Sequence, residues 1–135
     1  MKAVDTNVLA RFFVNDPDDA EAARQRPAAI RAMAGRVFVS LTVMLEFEWV
    51  LRGFYELGRA DVIRVMRALA GMPDVNLEGR HEVLAALDAC EGHKLDFADA
   101  LHVTRSGRCT GFVTFDKALV KRAAKAGFSV PVEAA

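Results

Sequence analysis

The segment Met1-Lys2-Ala3-Val4-Asp5-Thr6-Asn7-Val8-Leu9 decides how this chain is read. A short, mostly apolar run meets a polar triplet, and the triplet then opens the apolar stretch 8–14. A strand that ends at an acid and turns directly into a helix has this form. The arrangement recurs: Val37-Phe38-Val39-Ser40 precedes a helix-like run over residues 42–55, with Glu46 near its first turn. Gly111-Phe112-Val113-Thr114 leads through Phe115-Asp116 into the helix-like run 117–126. Together with Asp99, at the start of another apolar helix, the carboxylates in such positions are Asp5, Glu46, Asp99 and Asp116. In an open α/β sheet, ligands bind beyond the carboxyl ends of the strands, so these acids are expected to converge although they are far apart in sequence.

The other elements are set by periodicity and punctuation. Asn15-Asp16-Pro17-Asp18-Asp19 reads as a helix start, with Asp16 as the cap and Pro17 in the first helical position. Pro27 is expected to break or kink the helix, leaving 28–34 as a separate turn on a surface arm. The run 42–55 is apolar around much of its circumference, which predicts burial on more than one side and makes Glu46 and Glu48 stand out. Residues 59–70 are amphipathic, end at Gly71-Met72-Pro73, and form a helical hairpin with the preceding helix. Val75-Asn76-Leu77 reads as a short strand, and 81–90 as a helix closed by Gly92. The order β-α-β-α-α-α-β-α, with short apolar strands, implies a parallel-type sheet between helical layers.

Length and composition narrow the function classes. At 135 residues the chain fits one domain, 1–135, with no linker, repeat or low-complexity tract. Hydrophobic residues make up 53% and charged residues 27%, values of a compact fold and not of a disordered or fibrous chain. No apolar stretch approaches the roughly 20 residues needed to cross a bilayer. The N-terminus meets an acid too early for a signal peptide, so no membrane association and a cytoplasmic location are expected. Cys90 and Cys109 lack metal-ligand spacing and read as buried free thiols. Lys plus Arg equals Asp plus Glu at 18 each, so binding to nucleic acid would need a local basic patch.

The densest chemistry lies in Leu95-Asp96-Phe97-Ala98-Asp99-Ala100-Leu101-His102. Asp96 and Asp99 have the spacing of an N-cap and the third helical residue, so capping alone explains either one, and Asp116 is likewise a natural N-cap. The joint occurrence with Asp5 and Glu46 points further. Carboxylates gathered at the end of an apolar sheet repel one another, and keeping several ionised is costly unless a cation compensates. Oxygen donors of this kind suit Mg²⁺ or Mn²⁺, which keep waters and phosphate oxygens in their remaining positions. Attack of metal-activated water on a nucleic-acid phosphodiester is the reaction this chemistry predicts.

The stretches around Asp5-Thr6-Asn7-Val8-Leu9, Leu45-Glu46-Phe47-Glu48-Trp49-Val50-Leu51, Asp96-Phe97-Ala98-Asp99-Ala100-Leu101 and Thr114-Phe115-Asp116 resemble PIN-domain ribonucleases in order and spacing across nearly the whole chain. Among these the chain looks most like the stand-alone VapC toxins of prokaryotic toxin–antitoxin pairs. The resemblance implies a PIN-like three-layer α/β/α fold with a short, mostly parallel central sheet. It further implies a Mg²⁺- or Mn²⁺-dependent endoribonuclease acting on RNA, a VapB-type antitoxin that holds it inactive, and a homodimer formed through the apolar hairpin around residues 49–66. By position, Asp5 and Asp99 match the surest metal ligands, while Glu46 and Asp116 match acids that help bind metal or orient the attacking water. Thr6, Asn7 and Thr114 match polar positions that orient the acids, and Asp96 is assigned to a cap or a support outside the ligand set.

Other residues carry weaker signals. His81, His93 and His102 lack the paired spacing of a zinc site, but His102 lies one helical turn beyond Asp99 and could reach an RNA phosphate. Arg11 and Lys117 are the best candidates for RNA contact among the cations, which otherwise read as a solvated face. Trp49 and the phenylalanines read as core or dimer contacts. Two further classes stay compatible with the residues: a metal-dependent phosphatase or phosphoacceptor domain, and a non-catalytic PIN-like module that binds a partner. The first lacks an Asp two residues beyond Asp5 and a lysine after a late strand; in the second, the acids would only cap helices.

Overall fold

The strands are two or three residues long, so few ladder bonds hold them and packing must fix their register. The computed structural model describes all of residues 1–135 and divides them into two compact units, Met1–Glu78 and Gly79–Ala135. In the first unit β1 (Lys2–Ala3), β2 (Val37–Val39) and β3 (Val75–Leu77) form a parallel sheet in that order. Lys2 lies opposite Val37, and Val37 and Val39 lie opposite Val75 and Leu77. Those four apolar residues are buried, with Phe38 and Asn76 between them turned to the other face.

Parallel neighbours require crossovers, and helices supply them. Between β1 and β2 run α1 (Thr6–Phe13) and α2 (Ala20–Met33). Between β2 and β3 run α3 (Leu41–Trp49), a π-helical turn (Val50–Phe54) and α4 (Arg59–Ala70), as the hairpin pattern predicted. Leu9, Met44, Phe47, Leu51, Met66 and Leu69 are fully buried in this unit. The second unit contains α5 (Arg80–His93), α6 (Phe97–Thr104), β4 (Phe112–Thr114), α7 (Lys117–Ala126) and β5 (Val132–Ala134). Its strands β4 and β5 pair in parallel. Val83, Leu87, Leu101 and Val103 form the centre of its core. No helix is long and apolar enough to cross a membrane.

Several local expectations are corrected. The cap of α2 is Asp19, which accepts from the N–H groups of Glu21 and Ala22, and not Asp16. Asp16 instead opens a turn closed by the Asp19 N–H, with Pro17 in the second position that proline's fixed φ suits. Pro27 does not break α2. The helix runs through it, held against α1 by buried Ala22, Ala29 and Met33 and by an Arg26 bond to the Arg11 carbonyl at 3.0 Å, so 28–34 is no separate arm. Helix α3 starts at Leu41 behind the Ser40 cap, which moves Glu46 into the second turn. Helix α5 continues past Gly92 and ends at Lys94, whose φ of 55° is left-handed without glycine's freedom. By contrast, Gly127 takes that conformation after α7. Strand β5 was not foreseen. Cys90 is buried but Cys109 is exposed, and Trp49 is not core, being 58% exposed.

Glu48 is buried on α3, where its carboxylate pairs with Arg52 Nε at 3.0 Å across one helical turn. A proline inside a helix forfeits the bond to the carbonyl four residues back, at a typical penalty of about 3 kcal/mol that the chain-entropy benefit of proline partly offsets. Pro27→Ala is therefore expected to stabilise the protein by about 1–2 kcal/mol in urea denaturation. A loss of stability would show that the helix is adapted to the ring.

Candidate functional site

The acids singled out by the sequence fall into both units, and each unit gives its own a defined setting. In the first unit β1 stops at Ala3 and Asp5 caps α1, its Oδ1 accepting from the Val8 N–H at 3.2 Å. Thr6 is buried, and its hydroxyl donates a hydrogen bond to Glu46 Oε1 on α3. This bond ties the start of α1 to Glu46 and fixes the direction of an otherwise exposed carboxylate. Asn7 is exposed and borders an apolar groove of about 220 Å³ between α1 and α2, together with Val8, Arg11 and Gln25. Arg11 is engaged within the unit: Nε donates to Gln25 Oε1 at 3.0 Å and Nη1 to the Tyr55 hydroxyl at 2.8 Å.

The second unit holds the denser charge. Asp96 caps α6 through a 3.3 Å bond from the Asp99 N–H, and Asp116 caps α7 through a 3.0 Å bond from the Leu119 N–H. Thr114, at the end of β4, accepts from the Asp116 N–H at 3.0 Å and sets the approach to the helix. Asp99 is half-buried on the first turn of α6. Burial raises its pKa above the ordinary 3.8, and the charges of Asp96 and Asp116 raise it further, while His102 one turn along pulls it down. His102 and Lys117 are exposed.

Capping uses one oxygen of Asp5, Asp96 and Asp116, and the second oxygen of each carboxylate remains for other work. In neither unit do three Asp, Glu, His or Cys side chains form a ready-made cage for a metal ion. The chemistry of the donors still suits a hard cation, because Mg²⁺ needs only one or two carboxylates and completes its shell with water and phosphate oxygens. Repulsion at Asp99 is the electrostatic condition such a cation would relieve.

A model of the PIN domain family matches residues 2–125. The chain belongs to the PIN-domain family. PIN domains are in general nucleases, hydrolases that act on nucleic acid, and they typically use divalent metals. The resemblance carried by the four acid-bearing segments is thus borne out at the level of the family, and seven helices with short parallel strands are consistent with the expected three-layer α/β/α PIN-like class. Neither a curated protein nor a solved structure matches the chain.

Three residues in the neighbourhood of the sequence-predicted ones escaped the sequence reading. Tyr55 fixes Arg11, a contact between α1 and the end of the π-helical turn that no local pattern announces. Glu78 follows β3 as Asp5 follows β1, yet its carboxylate accepts from the Leu41 N–H at 2.8 Å and so serves the start of α3. An acid after a strand is therefore not by itself a ligand. Phe115, between Thr114 and Asp116, is 89% exposed.

The Asp99 shift has a definite sign. A carboxyl whose folded pKa is raised contributes stability that is full below its unfolded pKa and is lost as pH rises through the folded value. At neutral pH without metal, the ionised group is a burden on the fold. Asp99→Asn is expected to raise the melting temperature in EDTA at about pH 7, with the difference from wild type shrinking toward about pH 4. An equal or lower melting temperature for the variant at neutral pH would contradict the repulsion.

Proposed function

We propose that this PIN domain, read as a single domain over residues 1–135, is a divalent-metal-dependent endoribonuclease toxin of the VapC type that hydrolyses RNA phosphodiester bonds. The observation that carries the reading is the carboxylate group of the second unit: Asp99 is half-buried, and Asp96 and Asp116 are close enough to oppose its ionisation. Repulsion of this kind on the N-terminal turns of two helices is what a bound cation would relieve. The anchored Asp5 and the Thr6–Glu46 pair support the same reading from the first unit.

In this mechanism Asp5 and Asp99 are the principal ligands, and Glu46 and Asp116 complete the set or orient the attacking water. Bound Mg²⁺ or Mn²⁺ supplies Lewis-acid activation of the phosphate and of that water. Thr6 holds Glu46 in one direction, Thr114 sets Asp116, and Asn7 is assigned a polar supporting role. Asp96 caps α6 and adds negative field without being a ligand. His102 and Lys117, both exposed, are assigned to contact with RNA phosphates. Arg11 contributes positive potential while its guanidinium stays bound to Gln25 and Tyr55.

A cytoplasmic toxin requires restraint, and a VapB-type antitoxin that inserts a guanidinium among the carboxylates would neutralise them and compete with metal. Homodimerisation through residues 49–66 is supported by the exposed rings of Trp49 and Phe54, at 58% and 62%. Purified protein should cleave RNA in Mg²⁺ or Mn²⁺ and not in EDTA. Asp5→Asn and Asp99→Asn should each lower cleavage by roughly 100-fold or more with unchanged circular dichroism, and Thr6→Val should lower it less by releasing Glu46. Undiminished cleavage by both Asn variants would refute the assignment.

A further inference from the structure

The second unit sorts its charges. Helix α7 carries Lys117, Lys121, Arg122 and Lys125 and no acid between residues 117 and 126, in a chain whose formal charge sums to zero. Lys117, Lys121 and Lys125 recur every fourth residue and so lie along one stripe with Arg122 beside it, whereas buried Leu119 and Ala123 hold the opposite side. All four cations are exposed. At 1.5 Å per residue the stripe is about 12 Å long. At its far end Arg122 and Lys125 join His93 and Lys94 around a depression of about 250 Å³ that contains no acid. Arg122 is held there by its bond to the Lys94 carbonyl at 3.2 Å.

At the near end, immediately before the Asp116 cap, stands Phe115. An aromatic ring 89% exposed gains nothing for the fold and costs solvation, and Val113 two residues earlier is 62% exposed as well. A cationic track with an uncovered ring at its start matches the two demands of a single nucleic-acid strand: positive charge along the phosphates and a flat apolar surface for a base. A duplex offers no unstacked base to such a ring.

We infer that Phe115 is the base-stacking platform of this nuclease, and that the RNA strand runs from it along the cationic stripe of α7 toward the Lys94–Arg122–Lys125 depression. The inference rests on the proposed RNA substrate and adds to it the residues that the strand meets beside Asp116. Phe115 is then a specificity residue, selecting single-stranded sites through an unstacked base. Lys121 and Lys125 act on affinity alone and without sequence preference.

The test is fluorescence-anisotropy titration of an unstructured RNA oligonucleotide, and of the same RNA annealed into a duplex, with the Asp99→Asn protein as parent. Phe115→Ala in that background is expected to weaken single-strand binding about 10-fold, with duplex binding and melting temperature unchanged, and Phe115→Tyr to restore it. Lys121→Ala with Lys125→Ala should reduce the slope of log affinity against log salt by about 0.7 per lost phosphate contact. Unchanged single-strand affinity of Phe115→Ala, where the parent binds, overturns the platform and leaves the nuclease standing. An equal loss on duplex RNA overturns it too, as does a change in oligomeric state without a change in RNA affinity. A parent that binds no RNA in either form overturns both the platform and the proposed substrate.

Discussion

Every helix must satisfy backbone N–H groups at its first turn, and this chain meets the need at the starts of α1, α6 and α7 with aspartate. Asp5, Asp96 and Asp116 each accept a bond from the helix they open. Serine would cap as well, as Ser40 does for α3, but serine carries no charge. The choice of aspartate places negative charge where helix dipoles sustain it, and the consequence is visible at Asp99, whose ionisation its neighbours oppose. The same side chains thus organise the backbone and concentrate negative charge around Asp99.

Much of this was legible in the sequence because the junctions are local. Short apolar runs leading into apolar helices identified β1, β2 and β4, and local spacing identified the caps at Asp96 and Asp116, without tertiary information. Misreadings arose where packing outweighed a local rule. Pro27 lies in an unbroken helix because α1 supports both halves of α2, and Lys94 takes a left-handed backbone although Gly92 stood two residues earlier. Strand β5 escaped notice because Val132-Glu133-Ala134 is too short and polar to announce itself, and only pairing with β4 makes it a strand. The contacts of Thr6 with Glu46 and of Arg11 with Tyr55 span 40 and 44 residues and cannot be read from spacing.

Overall neutrality conceals a division of labour. In the second unit Asp96, Asp99 and Asp116 lie at the starts of α6 and α7, while α7 itself carries only cations, so one short element presents an anion-repelling tip and an anion-attracting flank. For a polyanionic substrate this gradient is informative. A polyanion would be drawn to the flank and opposed at the tip.

The π-helical turn after α3 has a practical consequence for anyone watching this molecule in solution. It brings Trp49 over Gly53, where even a methyl group would sit 3.3 Å from the indole, and leaves the ring 58% exposed. As the only tryptophan in the chain, it dominates the intrinsic fluorescence and emits from a solvated surface. Its spectrum will barely register melting of the core, but it will shift to the blue and resist collisional quenchers whenever another macromolecule covers that face.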